Sequence, residues 1–349
     1  MKKLFAFLAF TLLLTPAQAQ LPVDGTSYYL PKTELQFRFL VEKTEYTPGQ
    51  LAMYAERYMK KTDVSLAPST THKIIDMQMN AVGTPDTAKH YTLTLDKRFS
   101  ISQVERMDNG ILLAINSDAP AVEKPASFIP ARKVPVPDPK NYMNEDILTA
   151  GSSAKMAELI AQEIYDIRES RNLLSRGQAE FMPKDGEQLR IMMNGLNIQE
   201  QALMQVFDGL TVKDTTEVVI SFIPSEPVDH QLFFRFSKWE GFTDVDDLSG
   251  TPYYISVTGD IKKEEEENST KETKKPKNDI GLRVNMPTKA KVTVFDEEKE
   301  MKSYELFLGQ FGETEILSGD LFGKKQTTKM TINPVTGGLE SIREQPISN

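Results

Sequence analysis

The sequence predicts an α+β protein, mostly antiparallel β, with a central block of about three helices. Three observations carry this. Apolar residues alternate with polar ones in several short runs, the first at Leu35, Phe37, Phe39 and Val41. Hairpin signals join such runs at Asp108-Asn109-Gly110 and at Asn333 to Gly338. Between them, Met156, Ile160, Ile164, Ile167 and Leu174 repeat at helical spacing.

In chain order, the first nineteen residues have the three parts of a secretory signal. Lys2 and Lys3 are basic, Leu4 to Leu14 is apolar apart from Thr11, and Ala17-Gln18-Ala19 supplies small residues for cleavage. The apolar run is too short for a hydrocarbon core of about 30 Å. The expected product starts at Gln20, has no membrane span, and is periplasmic or extracellular. Residues 20–116 read as a β-rich domain with one short helix, placed after Pro48-Gly49 by Leu51, Tyr54, Ala55, Tyr58 and Met59. Ile75, Met77, Met79 and Ala81 alternate, as do Tyr91, Leu93 and Leu95.

Residues 117–141 hold Pro120, Pro125, Pro130, Pro135, Pro137 and Pro139, which suits a linker or a surface strap. The expected second domain is 142–349. Its helical block has one helix over about 153–176. A second starts at a capping box of Asp185 with Gln188. A third starts at Asn197 with Glu200 and carries Leu203 and Phe207. The stripe on the first helix must be buried, and the apolar faces of the flanking strands are the expected cover. Arg168 and Arg171 read as part of a solvated face beside Asp166 and Glu169. The C-terminal part alternates at Val218, Ile220 and Phe222 and at Leu232, Phe234 and Phe236, with further short runs to Ile342.

Residues 261–279 form a charged stretch with no apolar side chain between Ile261 and Ile280. Such a segment cannot offset its ordering entropy by burial, so it is expected to be a disordered loop. Limited proteolysis should cut at its lysines before it cuts any strand. First cleavage elsewhere would refute that reading.

Composition excludes several chemistries. The chain has no cysteine, hence no disulfide, thiolate metal site or cysteine nucleophile. Its formal charge is −9. Loss of Lys2 and Lys3 leaves 39 basic and 50 acidic residues, net −11, which disfavours nucleic acid and anionic lipid as partners. His72, His90 and His230 stand singly, without the spacing of a metal-binding pair. No Gly-x-Ser-x-Gly elbow or phosphate-cradling loop is present. No cofactor is expected, and no catalytic residue stands out.

The candidate ligand residues are the lone Trp239 and the pair Tyr28 and Tyr29, whose rings suit a sugar face or an interface, although sealing the rim of a β-core is the commoner role for such rings. Asp244, Asp246 and Asp247 offer hard oxygens for a cation such as Ca²⁺. Their spacing is not that of an EF-hand loop, and such a stretch is more often a turn whose carboxylates accept from nearby backbone amides.

Four stretches resemble an uncharacterised family of exported bacterial proteins, a domain of unknown function. They are Tyr28 to Thr33, Ile164 to Gly209, Leu232 to Ser237 with Asp246 to Gly250, and Thr336 to Leu339. The resemblance implies a secreted or periplasmic protein and no particular chemistry. The expected function is that of a non-enzymatic envelope module that binds or scaffolds, its partner an envelope protein or a glycan. A carbohydrate-binding or carbohydrate-processing protein is the alternative. A glycan site needs an exposed aromatic platform with polar groups around it.

Overall fold

Fourteen strands and three α-helices appear in a computed structural model, which describes residues 25–96, 98–121, 126–133, 135–259, 278–324 and 326–346. The expected signal (1–19) and all but the end of the charged stretch lie outside the described residues. The strands are β1 (Gly25–Thr47), β2 (Ser69–Thr94), β3 (Val104–Arg106), β4 (Leu112–Ile115), β5 (Leu210–Phe222), β6 (Val228–Ser237) and β7 (Gly241–Thr243). Then follow β8 (Thr251–Gly259), β9 (Asp279–Asn285), β10 (Thr288–Asp296), β11 (Lys299–Leu308), β12 (Thr314–Ser318), β13 (Gln326–Ile332) and β14 (Leu339–Pro346). The helices are α1 (Glu145–Leu148), α2 (Ser153–Ser175) and α3 (Gly186–Asp208). They assemble into sheets of order β2-β1-β5, β11-β10-β8-β6-β7, β12-β9 and β14-β13-β4-β3. Every ladder between these strands is antiparallel, as expected of an α+β chain rich in hairpins.

Strand β1 serves two cores with opposite faces. Its even residues Tyr28 and Leu30 are buried in one cluster, and its odd residues Leu35, Phe37, Phe39 and Val41 in another. Side chains alternate across a strand, so the two clusters need opposite faces of the hairpin. The change comes at an irregularity: the ladder passes from Tyr29↔His90 to Pro31↔Pro85, leaving Asp86 to Lys89 of β2 opposite Leu30 alone. Pro31 has no N–H to lose from the ladder, which suits it to that place.

The first core lies between the sheet of β1 and the five-stranded sheet. His72 donates its backbone N–H to Lys238 O at one edge of the latter. Five residues along β2, Met77 O accepts from the Tyr304 hydroxyl of β11 at the other edge. Five residues of strand span about 17 Å, close to the width of five strands. The two sheets therefore cross at nearly a right angle. Edge-to-face ring pairs fill the space between, Phe37–Phe233 at 4.8 Å and Phe39–Phe234 at 4.9 Å.

The second core joins Tyr28, Leu30 and Leu93 of the long hairpin to Leu112 and Ile115 of β4, Ile280, Leu282 and Val284 of β9, and Met330 and Ile332 of β13. Both cores, and the pairings β1–β5 and β4–β13, draw on chain from both sides of residues 117–141. The expected boundary therefore does not separate independent sheets. The described residues of that Pro-rich segment run as a strap. Ala126 O accepts from Arg38 Nη1 at 2.8 Å, Lys133 pairs with Asp214 at 2.8 Å, and Pro137 O accepts from Gln205 at 3.2 Å.

The third core is helical. Ile160, Ile164 and Ile167 of α2 are buried as their spacing predicts, but their cover differs from the expected one. They pack against Leu203 and Phe207 of α3, Ile147 of α1, and Leu51, Ala55 and Met59. The last three belong to the expected short amphipathic helix, which is instead a 3₁₀ turn (Ala52–Tyr54) running into a single π turn (Ala55–Met59). Gly49 sits tight against the end of α3. A Cβ there would lie 2.3 Å from Val206 O, so only glycine lets the two segments touch.

Asp185 caps α3 as predicted, accepting from Gln188 N at 2.8 Å. The third expected helix, starting at Asn197, does not exist as a separate element: α3 runs unbroken to Asp208. Asn197 and Glu200 look across to α2 instead. Glu200 takes Arg168 Nε at 2.6 Å and Arg171 Nη1 at 2.5 Å, and Asn197 Oδ1 also accepts from Arg171. The two arginines are thus not a free solvated face. They clasp the far half of the hairpin, where residues 186–199 of α3 bury no side chain fully. Glu200→Ala should lose about 1–2 kcal/mol and mainly loosen that half. Hydrogen exchange should show amides of 186–196 losing protection while those of 202–207 keep it. Uniform loss across α3 would count against this division.

Candidate functional site

The most site-like feature is an open groove of about 490 Å³ where the two sandwiches meet. Its floor is built from local turn chemistry. Asn333 Oδ1 accepts from the backbone N–H of Val335 and of Thr336, both at 2.9 Å, and Gly337 N–H closes onto Asn333 O. Gly337 has φ +72, and a Cβ on it would meet Pro31 Cδ at 2.7 Å, so the turn needs glycine on two counts. The fully buried Asn285 locks this turn to the long hairpin. Its Nδ2 donates to Pro31 O (3.1 Å) and Thr336 O (2.8 Å), its backbone N–H to Gly337 O (2.9 Å), and its Oδ1 accepts from Lys89 (3.3 Å). Thr33 adds a second tie, donating to Val335 O and accepting from Gly309 N. Two stretches that carry the family resemblance, 28–33 and 336–339, therefore meet here across some three hundred residues of chain.

The walls are apolar and partly uncovered. Met286, Phe307 and Leu339 are 50%, 54% and 40% exposed, and Leu317 packs below them on the second core. Three large side chains converging on one depression make a concentrated apolar surface rather than scattered exposure. Two carboxylates stand at the lips, Glu315 on β12 and Glu340 on β14. Asn333 Nδ2 donates to Glu340 Oε1 at 2.7 Å, fixing that carboxylate without cancelling its charge. Sequence reasoning missed Asn285, Met286 and Phe307. The signals toward this site were the Asn333 to Gly338 turn and the two resembling stretches, 28–33 and 336–339, that meet at it.

A second depression, of about 520 Å³, lies on the outer face of the five-stranded sheet. The His230 ring stacks on Tyr254 at 4.2 Å and 16° and tilts over Phe295 at 5.3 Å. His230 sits at an irregularity between β6 and β8 with φ +49, its N–H donating to Ser256 Oγ at 2.8 Å. The Asp296 to Lys299 turn, bearing Glu297 and Glu298, forms the rim.

The residues predicted from sequence do not come together. Trp239 is 61% exposed at a corner of the first sandwich, where Lys238 Nζ lies 5.2 Å from the ring and His72 Nδ1 is 3.2 Å from its carbonyl. Tyr29 stacks on His90 at 4.5 Å. It lies on β1 fourteen residues before Lys43, the partner of His72, or about 45 Å along the strand. Tyr28 has no exposed ring to offer: it is wholly buried, its hydroxyl donating to Gly281 O (2.9 Å) and accepting from Arg283 N (2.6 Å). Burial pushes the phenol pKa far up, against the smaller lowering by the Arg283 amide and charge.

Asp244, Asp246 and Asp247 serve a turn. Asp247 N–H donates to Asp244 O at 3.0 Å, and Asp247 Oδ1 accepts from Ser249 N at 2.9 Å, which holds its pKa below the usual carboxylate value. Arg235 clamps the turn from β6, donating to Val245 O (2.7 Å) and Gly250 O (3.0 Å). Among the described residues no three His, Asp or Glu side chains, these aspartates included, are grouped so as to hold a metal ion. Here again two resembling stretches, 232–237 and 246–250, hold each other.

No described helix is long and apolar enough to cross a membrane. Comparison with curated proteins finds no match, and comparison with solved structures finds none. A family model does match, over residues 24–340. By that match the chain, including the Asn285 junction and the Arg235 clamp, belongs to a family described as a domain of unknown function, DUF4831.

Proposed function

We propose that this chain is an exported, non-enzymatic binding module of the cell envelope and that the groove at Asn285 is its binding face. One observation carries the reading: Met286, Phe307 and Leu339 leave large apolar surface uncovered in one depression whose floor is rigidly tied. A preformed apolar depression binds at little ordering cost. The basic, apolar and small-residue order of Lys2 to Ala19 supports export. Two measurements test this. Mass spectrometry of the envelope fraction should find an N-terminus at or near Gln20, whereas intact Met1 there would refute export. A photo-crosslinking side chain at Phe307 should capture a partner in native envelopes. One at Val219, equally exposed on another sheet, should not. Equal capture at both would refute the groove.

A carbohydrate-binding role is favoured by the second depression alone. The His230–Tyr254 stack offers a flat platform beside the carboxylates of Asp296 and Glu298. Calorimetry with envelope glycan fragments, repeated on Tyr254→Ala, separates this reading from the first. Heat that survives the substitution would place any glycan elsewhere.

A further inference from the structure

We propose that the groove takes an extended polypeptide segment in which a large apolar side chain is flanked by lysine or arginine. This rests on the reading of the groove as the binding face. Three observations select the occupant.

The first is shape. Glu315 lies opposite Val284 in the β9–β12 ladder, and Leu317 packs on the second core. Leu339 and Glu340 begin β14 on the other side. The groove is therefore the open mouth of the second sandwich, with one sheet at each lip. The second observation is what those lips carry. Among the described residues β12 pairs with β9 alone in its sheet and β14 with β13 alone in its sheet. Each leaves one row of backbone N–H and C=O groups for an added strand, and an extended chain supplies the matching row. A compact small molecule would leave those rows unused. The third is charge. Carboxylates stand on both lips, at Glu315 and Glu340, and among the described residues no Lys, Arg or His lines the groove. An apolar anchor entering between Phe307 and Leu339 thus brings its flanking residues up to two negative charges. Cationic flanks are attracted there and acidic ones repelled.

The test uses two fluorescein-labelled heptapeptides, Lys-Val-Lys-Phe-Lys-Val-Lys and Glu-Val-Glu-Phe-Glu-Val-Glu, titrated by fluorescence anisotropy against the full mature chain. The wild type should prefer the lysine peptide by about tenfold, given two rim charges each contributing attraction to one peptide and repulsion to the other. The double variant Glu315→Lys, Glu340→Lys should reverse that order. The double variant Phe307→Ser, Leu339→Ser should weaken the lysine peptide by about tenfold while the chain still melts cooperatively, because the two side chains are 54% and 40% exposed and neither is part of a buried core. Equal binding of both peptides, lost in the serine variant, would leave the groove standing and overturn the cationic partner. Binding that survives the serine variant would overturn the groove itself. No binding of either peptide to the wild type, or self-association of the chain that the serine variant abolishes, would overturn the peptide proposal, the latter in favour of a second copy.

Discussion

Ile164→Asp should unfold the chain. Ile164 is fully buried within α2, among Ile160, Ile167, Phe207, Leu51 and Ala55. An ionised carboxylate there is shut off from water, with apolar side chains around it. The arginine one turn on, Arg168, is already held by Glu200 at 2.6 Å. Burying an unpaired charge costs several kcal/mol, and the lost isoleucine packing adds about 2–4 kcal/mol. Together these approach the total of about 5–15 kcal/mol that holds a domain folded. Circular dichroism melting with size-exclusion chromatography reads the result. Ile164→Val, as a control, should lose only about 1 kcal/mol. If Ile164→Asp melts cooperatively near the wild-type temperature, the helices do not form the core described.

Tyr28→Ala should be nearly as damaging, about 3–5 kcal/mol, because it empties the middle of the second core. Tyr28→Phe isolates the hydroxyl. It leaves Gly281 O and Arg283 N–H without that partner and should cost about 1–3 kcal/mol. The phenol also predicts a pH dependence. Burial raises its folded pKa above the ordinary value of about 10, so folding favours the neutral form. Its contribution is complete below about pH 10 and is lost as pH rises beyond that. Tyr253, pushed up to about 12 by burial and by the charges of Asp296 and Glu297, acts in the same direction. Denaturant midpoints should therefore fall between pH 10 and 12, and less steeply in Tyr28→Phe. A slope unchanged by that substitution would show that Tyr28 does not control alkaline unfolding.

Sequence reading succeeded mostly where the controlling interactions lie within a few residues, the 3₁₀ and π turns at 52–59 being the exception. The period of Ile160, Ile164 and Ile167, the alternation from Leu35 to Val41, the Asp185 cap and the Asp108-Asn109-Gly110 turn are each set by neighbours in the chain, and the structure has them. It failed where a local pattern had a distant partner. Asn197 and Glu200 have the spacing of a cap, yet their side chains reach Arg171 and Arg168 on another helix. Tyr28 and Tyr29 read together as candidate ligand rings, yet alternation buries Tyr28 while Tyr29 stacks on His90.

The sequence by itself determined the class of this protein: an α+β chain of short antiparallel runs around a helical block, without cysteine chemistry, bearing the stretches that place it in its family. Only the tertiary structure decided that one long hairpin would serve two cores with opposite faces, and that β1 would pair with β5 across the whole helical block. It also decided that Pro31, Asn285 and Thr336 would meet to floor a groove. The physical reason is range. Periodicity, caps and turns are set by contacts between near neighbours, while strand pairing and sheet packing depend on closing loops of tens to hundreds of residues. The loop-closure cost changes so slowly with length that it selects few partners on its own, so the choice falls to packing in the assembled fold.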